Sequence, residues 1–193
     1  DPNDPVNIAG DTMTALGKDQ GTAGYRASLI GTESGGNWGA QNNEMGAGGK
    51  RGHYGRVQFG QARLQEAMDA GAIPQGTTPE QFMASPALQI AAENWHFGDL
   101  EKQLAPYVGA VVNGQTMDLG ALVAMGHLGG AAGAKRFVES GGKYNPSDAY
   151  GTSLLDYART HGGQLGGPVA APAGASTATN SAMPSIDPQA LAA

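Results

Sequence analysis

The chain has 193 residues and is rich in Gly (32) and Pro (11), which together make up about 22% of it against an average of roughly 12%. This density of helix-breaking residues excludes a coiled coil or a bundle of long helices. The formal net charge of −6 disfavours sequence-independent binding to nucleic acid, because such binding depends on Lys and Arg neutralising phosphates. The lack of Cys excludes disulfide bonds, thiolate metal sites and a Cys nucleophile. No apolar run approaches the roughly 18 residues that a membrane-spanning helix needs.

The first predicted helix runs from about Gly21 to Ser34. Within it, Tyr25, Leu29 and Glu33 recur every four residues and therefore lie on one face of the helix. We expect this face to be buried, which would place a carboxyl group on the apolar side. A glycine-dense stretch over 35–60 follows and is predicted to be a loop.

Local start and stop signals predict the remaining helices. A capping-box pattern begins at Thr78, and Ser85 followed by Pro86 repeats the start signal. Asp118 is the predicted cap of a later helix, which the pair Gly129-Gly130 interrupts. The predicted helices cover 61–70, a short segment from 79, 86–104, a segment from 119 to the glycine pair, 131–140 and 153–160. No alternating run of five or more β-branched residues indicates a strand, so the predicted fold is all-α.

The domain prediction has three parts. A lead-in segment covers 1–19, and one compact helical domain with Gly-rich loops covers 20–163. From 164 to 193, Ala, Pro, Gly, Ser and Thr supply 21 of 30 residues, and Asp187 is the single charge. Such a segment buries too little apolar surface to offset its ordering entropy. It is predicted to be a linker, or a tail that docks on a protein partner through Met183, Ile186 and Leu191.

Glu33 is the sharpest chemical signal in the chain. It ends an amphipathic helix on the apolar face and opens onto a polar loop, 34–37. Burial disfavours the charged form of a carboxyl group, which suits a general acid that works near neutral pH. The alternative is a Glu that swings out to solvent or caps a neighbouring helix.

The segment 54–60 is the second signal. The apolar Val57 and Phe59 can anchor a loop whose Gln58 side chain faces a cleft, and Gln offers both a donor and an acceptor to a sugar. Trp38 and Tyr54 could each stack on a sugar ring. The alternatives are an ordinary turn before a helix and aromatic side chains that fill the core.

Two segments form a paired motif: Glu33 to Asn37, and Gly55 to Gln58 about twenty residues later. This pair resembles the motifs of the lysozyme-like lytic transglycosylase superfamily. In that family a Glu-Ser pair at a helix end is followed by a Gly-x-x-Gln segment. The later run from Ala121 to Tyr157 is similar to muramidase modules carried by phage virions and secreted effectors. The resemblance covers about residues 20–160 and implies a lysozyme-like fold of the goose-type or transglycosylase kind.

The resemblance also implies roles for single residues. Glu33 would protonate the glycosidic oxygen between N-acetylmuramic acid and N-acetylglucosamine, and Ser34, Gln58 and Tyr54 would help to bind the glycan strand. Where the family usually has a Tyr-Asn-Ala-Gly stretch that lines the cleft, this chain has Met-Gly-His-Leu-Gly-Gly at 125–130. His127 is therefore the candidate replacement for one of the sugar contacts.

Tyr150 precedes the last helix, where a family Tyr commonly approaches the catalytic Glu. Glu44 is the one further acid in the loop after Glu33. It could orient a water molecule, although the alternative is an exposed loop residue. No cofactor and no metal are expected, since the four histidines lack the spacing of a helical zinc site.

Three functions follow from this reading. The first is a lytic transglycosylase that forms a 1,6-anhydro product with a single Glu, acting in the cell envelope or periplasm, or from a virion on the host wall. The second is a hydrolytic muramidase or a chitinase-like glycosidase. The third is a glycan-binding or structural component of a virion or envelope assembly that does not cleave.

Overall fold

The computed structural model describes residues 24–45, 51–148 and 150–163. Within them the chain is helix-rich. Six α-helices follow one another along the sequence, with a 3-10 turn at Ala105–Tyr107 after the fourth. They are α1 Gly24–Ser34, α2 Gln61–Asp69, α3 Pro79–Ala84, α4 Pro86–Leu104, α5 Leu119–Glu139 and α6 Leu154–His161.

Two small antiparallel sheets correct the all-α prediction. The first contains β1 Gln41–Met45, β2 Arg51–Tyr54 and β3 Phe59–Gly60 in that order, and the second pairs β4 Val111–Val112 with β5 Gln115–Thr116. The first sheet lies in the stretch that was predicted to be a loop. Its strands are short and contain Gln, Asn and Gly, which are poor strand formers, so backbone pairing and not side-chain pattern defines them.

The predicted helix caps are confirmed. Thr78 forms a complete capping box with Gln81, and the side chain of Ser85 accepts a hydrogen bond from the backbone N–H of Leu88. Asp118 caps α5 in the same way, and Ser153 starts α6 with a second capping box. Each cap satisfies backbone donors that a helix leaves unpaired at its first turn. The helix starts of this fold are therefore set locally.

Helix α5 is broken at Gly130, as predicted. This residue has φ 70° and ψ 162°, a backbone conformation that L side chains rarely adopt. The preceding Gly129 packs against α6, where a Cβ atom would lie 2.7 Å from Cδ2 of Leu154. The first part of α5 can therefore approach α6 closely, and this approach places residues of both helices beside α1.

One apolar core joins these elements. Tyr25 and Leu29 of α1 are buried with side chains of α4, α5 and α6, among them Phe97, Leu122 and Leu154. No helix in the described part of the chain is long and apolar enough to cross a membrane. The predicted lead-in, 1–19, and the predicted tail, 164–193, lie outside the described residues. The prediction that the tail docks on a protein partner therefore also concerns residues outside the described part.

Candidate active site

Glu33 lies in the last turn of α1 and is only 4% exposed. Tyr25 and Leu29, one and two turns earlier on the same face, are also buried, so the prediction of a carboxyl group on the apolar face is confirmed. The four-residue spacing of these side chains carries Glu33 inward with the two apolar residues. The helix end thus holds an acid inside the protein.

The two oxygens of the Glu33 carboxyl group have different surroundings. Oε1 accepts a hydrogen bond from the hydroxyl of Tyr157 in α6 at 2.9 Å, and Nε2 of His127 in α5 lies 3.3 Å from the same oxygen. Oε2 is buried and makes no hydrogen bond to any described residue. One oxygen is therefore held by the protein, while the other has no hydrogen-bond partner among the described residues.

Tyr157 is a permanent donor in this site. Burial raises the pKa of Tyr157 far above its ordinary value, and the neighbouring Glu33 carboxyl group raises it further. The phenol therefore stays protonated near neutral pH and can donate to Glu33. The family resemblance indicated Tyr150, and not Tyr157, as the tyrosine that approaches Glu33.

Behind His127 lies a second buried imidazole. Nδ1 of His127 is 2.9 Å from Nε2 of His96 in α4, and Nδ1 of His96 accepts a hydrogen bond of 2.8 Å from Nε of Arg63 in α2. Burial, with smaller contributions from His127 and Arg63, lowers the pKa of His96 well below its ordinary value. His96 is therefore uncharged near neutral pH.

His161 of α6 is a further buried histidine close to the site. Its Nδ1 lies 2.8 Å from the hydroxyl oxygen of Ser28, and burial lowers its pKa to about 4. His96 and His161 were considered in the sequence only as metal ligands. Their burial is decided by tertiary packing, which the sequence pattern does not reveal.

Ser34 connects α1 to the Gly-x-x-Gln segment. Its hydroxyl donates to the backbone oxygen of Arg56 at 2.7 Å and accepts from the backbone N–H of Gly36 at 3.1 Å. The guanidinium of Arg56 in turn forms a buried ion pair with Glu93 of α4. The two motifs that carry the family resemblance are thus joined in space by a direct hydrogen bond. Contact of Ser34 with substrate stays a prediction.

Gln58 is buried and hydrogen-bonded at both ends of its amide. Its Nε2 donates to the backbone oxygen of Gly55 at 2.8 Å, and its Oε1 accepts from Asn42 of β1 at 3.1 Å. Its φ of 53° is unusual for a residue other than Gly. These contacts fix the turn against the first sheet, and the sugar-binding role of Gln58 stays a prediction.

Tyr54 is a core residue, and its stacking on a sugar stays a prediction that its burial does not favour. The side chain is 7% exposed and belongs to the core, and its hydroxyl lies so close to Gly52 that a Cβ atom there would be 2.2 Å away. The ring therefore has no free face to offer a sugar. Trp38 is half-buried and packs against the guanidinium of Arg56, whose central carbon lies 4.1 Å from the ring centroid.

Glu44 and Tyr150 are brought together by the fold. Glu44 lies in β1 and is half-buried, unlike the exposed loop residue that the sequence left as the alternative, and the hydroxyl of Tyr150 donates to its Oε1. This hydrogen bond raises the pKa of Tyr150. The described residues show no hydrogen bond or ion pair between either side chain and Glu33. The tyrosine that approaches Glu33 is Tyr157.

Within 24–45, 51–148 and 150–163, no group of three or more His, Asp or Glu side chains is arranged to hold a metal ion. Comparisons with protein-family models, curated proteins and solved structures find no match to the chain. Any functional conclusion therefore depends on the site itself and on the motif residues.

Proposed function

We propose that the protein cleaves the glycosidic bond between N-acetylmuramic acid and N-acetylglucosamine in peptidoglycan, with Glu33 as general acid and then general base. The observation that carries this proposal is the difference in hydrogen bonding between the two Glu33 oxygens. Oε1 is engaged by Tyr157 and His127, whereas the buried Oε2 has no described partner. The lysozyme-like fold named above is part of the same proposal.

The proton that Glu33 donates belongs on Oε2. Because the Tyr157 hydroxyl donates to Oε1, that oxygen acts as an acceptor and the acid proton is left to the other oxygen. Transfer of this proton from Oε2 to the glycosidic oxygen breaks the bond to the muramoyl C1 and leaves Glu33 as a carboxylate. The buried Tyr157 donor then stabilises the negative charge that has formed.

The same carboxylate completes the reaction in a transglycosylase. It takes the proton of the muramoyl 6-hydroxyl while that oxygen bonds to C1, which gives a 1,6-anhydro ring and restores protonated Glu33. An internal hydroxyl has an effective molarity of about 10⁵ M or more when it is well oriented, so no second carboxylate is required. Ordinary glycosidases use two carboxyl groups.

One observation favours hydrolysis as the second candidate. Glu44 lies in strand β1, and its carboxylate accepts a hydrogen bond from the hydroxyl of Tyr150. An ordered carboxylate can orient a water molecule as a general base. Variants of Glu33 and Glu44 separate the two reactions.

The test uses clearance of cell-wall suspensions. Glu33→Gln keeps the size and polarity of the side chain but has no proton to transfer, so we expect a loss of about 10²–10⁴-fold with the fold intact. Glu44→Gln is the matched control, and the transglycosylase proposal expects it to retain activity. If Glu33→Gln clears walls at the parent rate, Glu33 is not the general acid. If the parent protein itself clears no walls, a glycan-binding or structural role takes the place of the catalytic proposal.

A further inference from the structure

Four side chains from four helices form a continuous line that ends at Glu33. Nε of Arg63 in α2 donates to Nδ1 of His96 in α4 at 2.8 Å, and Nε2 of His96 lies 2.9 Å from Nδ1 of His127 in α5. Nε2 of His127 then lies 3.3 Å from Oε1 of Glu33 in α1. His96 and His127 are 2% and 5% exposed, so bulk water does not compete for their ring nitrogens.

The identity of the first donor fixes the position of every proton in the line. Arg has only donors and is not deprotonated in proteins, so Nδ1 of His96 must be an acceptor without a proton. A neutral His96 therefore carries its proton on Nε2 and donates it to Nδ1 of His127. Nδ1 of His127 is consequently also an acceptor, and the proton of that ring lies on Nε2, the nitrogen nearest Glu33.

Arg63 is itself held in place from several sides. Its guanidinium pairs with Glu66 on its own helix and with Asp99 on α4, the latter at 2.8 Å, and it packs over the ring of Trp95. The Nε–H that starts the line is thus aimed at His96 by contacts that do not involve the active site. The direction of donation is therefore set from outside the site.

We propose that Arg63 and His96 are positioning residues that hold His127 in the tautomer with its proton on Nε2, so that His127 presents an N–H and not a lone pair to Glu33. The catalytic consequence rests on the function proposed above, whereas the tautomer itself does not. A lone pair on Nε2 would draw the Glu33 proton to Oε1, the oxygen that faces His127, and away from Oε2. With Nε2 protonated, Oε1 meets donors from both Tyr157 and His127, and the Glu33 proton stays on Oε2.

The contact between His127 and Glu33 is accordingly not an ion pair. An imidazolium would need a proton on Nδ1 as well, and His96 already donates to that atom. The separation of 3.3 Å is longer than an ordinary hydrogen bond. Catalytic contacts of this kind often tighten only in the complex with substrate.

Histidine tautomers can be measured directly. In protein labelled with ¹⁵N at histidine, long-range proton–nitrogen spectra separate protonated from unprotonated ring nitrogens. At pH 7 we expect His96 and His127 each to show a protonated Nε2 and an unprotonated Nδ1. The variants His53→Gln, His96→Gln and His161→Leu each remove one ring and so assign three of the four histidines, which leaves the remaining signals to His127. A proton on Nδ1 of His127 in the parent protein would overturn the proposal.

Two substitutions of His96 separate positioning from packing. His96→Gln keeps an acceptor for Arg63 and a donor for His127, whereas His96→Leu fills the space but has neither. We expect the single tautomer of His127 to be kept in the Gln variant and lost in the Leu variant. The His53→Gln control removes a buried imidazole outside the line and is expected to leave His127 unchanged.

The kinetic readout uses soluble peptidoglycan fragments. We expect His96→Leu to lower kcat by about 10-fold or more, because His127 is no longer oriented towards Glu33, with little change in KM, and His96→Gln to recover most of the loss. Equal losses in the two variants, or an unchanged His127 tautomer in the Leu variant, would contradict the proposal. If the parent protein cleaves nothing, the proposed function fails while the spectra still decide the tautomer.

Discussion

The buried ion pair between Arg56 and Glu93 is expected to be a major determinant of stability. Nε of Arg56 donates to both carboxylate oxygens of Glu93 at 2.8 and 2.9 Å, and Nη2 adds a bond of 2.5 Å. The two side chains are 7% and 3% exposed. The backbone N–H of Arg56 is bound as well, by Oε1 of Gln89 at 2.9 Å. The pair therefore fixes the segment that holds Ser34.

Substitution Glu93→Leu leaves the Arg56 guanidinium buried without its carboxylate. Loss of one partner of a buried pair costs about 3–5 kcal/mol, a large share of the roughly 5–15 kcal/mol by which a domain is stable. For a domain of this size, each 1 kcal/mol lowers Tm by about 3 °C, so we expect a decrease of about 10–15 °C. Arg56→Met combined with Glu93→Leu removes both charges, and we expect it to recover much of the loss.

A double-mutant cycle tests this reasoning. Urea and thermal unfolding are measured for the parent, Arg56→Met, Glu93→Leu and the double variant. A strongly favourable coupling energy between the two positions would support the reasoning. If Glu93→Leu costs less than about 1 kcal/mol, the pair behaves like an exposed one and the argument from burial is refuted.

Three further outcomes are expected. Tyr157→Phe removes the hydroxyl that donates to Glu33, and since a hydrogen bond to a charged group contributes about 1.5–3 kcal/mol, kcat should fall about 10-fold to 100-fold while circular dichroism shows an intact fold. Between pH 6.5 and 4 the unfolded chain protonates His161, whose pKa is about 4 in the folded protein, so stability should fall by up to about 3 kcal/mol over this range as the pH drops. His161→Leu should weaken that dependence in urea titrations at pH 7 and pH 4.5. Truncation after Gly163 should leave wall clearance unchanged, and a large loss would contradict the assignment of 164–193 to a tail.

The helices could be predicted because their signals are local. The capping box at Thr78 and Gln81 and the break at Gly130 each depend on residues within one turn. The first sheet could not be predicted in this way. The Asn and Gln residues of β1 pair with the neighbouring strand β2 through backbone groups, and their side chains form no alternating apolar pattern that would indicate a strand.

The site was predictable only where it depends on helix periodicity. Glu33 was found because it shares a face with Tyr25 and Leu29, whereas Tyr157 bonds to it from 124 residues away. No local pattern around Tyr157 indicates which group its hydroxyl would meet. The line through Arg63 and His96 is likewise formed by the packing of separate helices.

The most direct test of the central claim is mass spectrometry of the fragments released from purified sacculi. The account predicts muramic acid ends in the 1,6-anhydro form from the parent protein and from Glu44→Gln, and no release by Glu33→Gln. Anhydro and reducing ends differ by the mass of one water molecule. Release of reducing ends alone, lost on substitution of Glu44, would contradict single-carboxylate transglycosylation, and full release by Glu33→Gln would contradict the role of Glu33 itself.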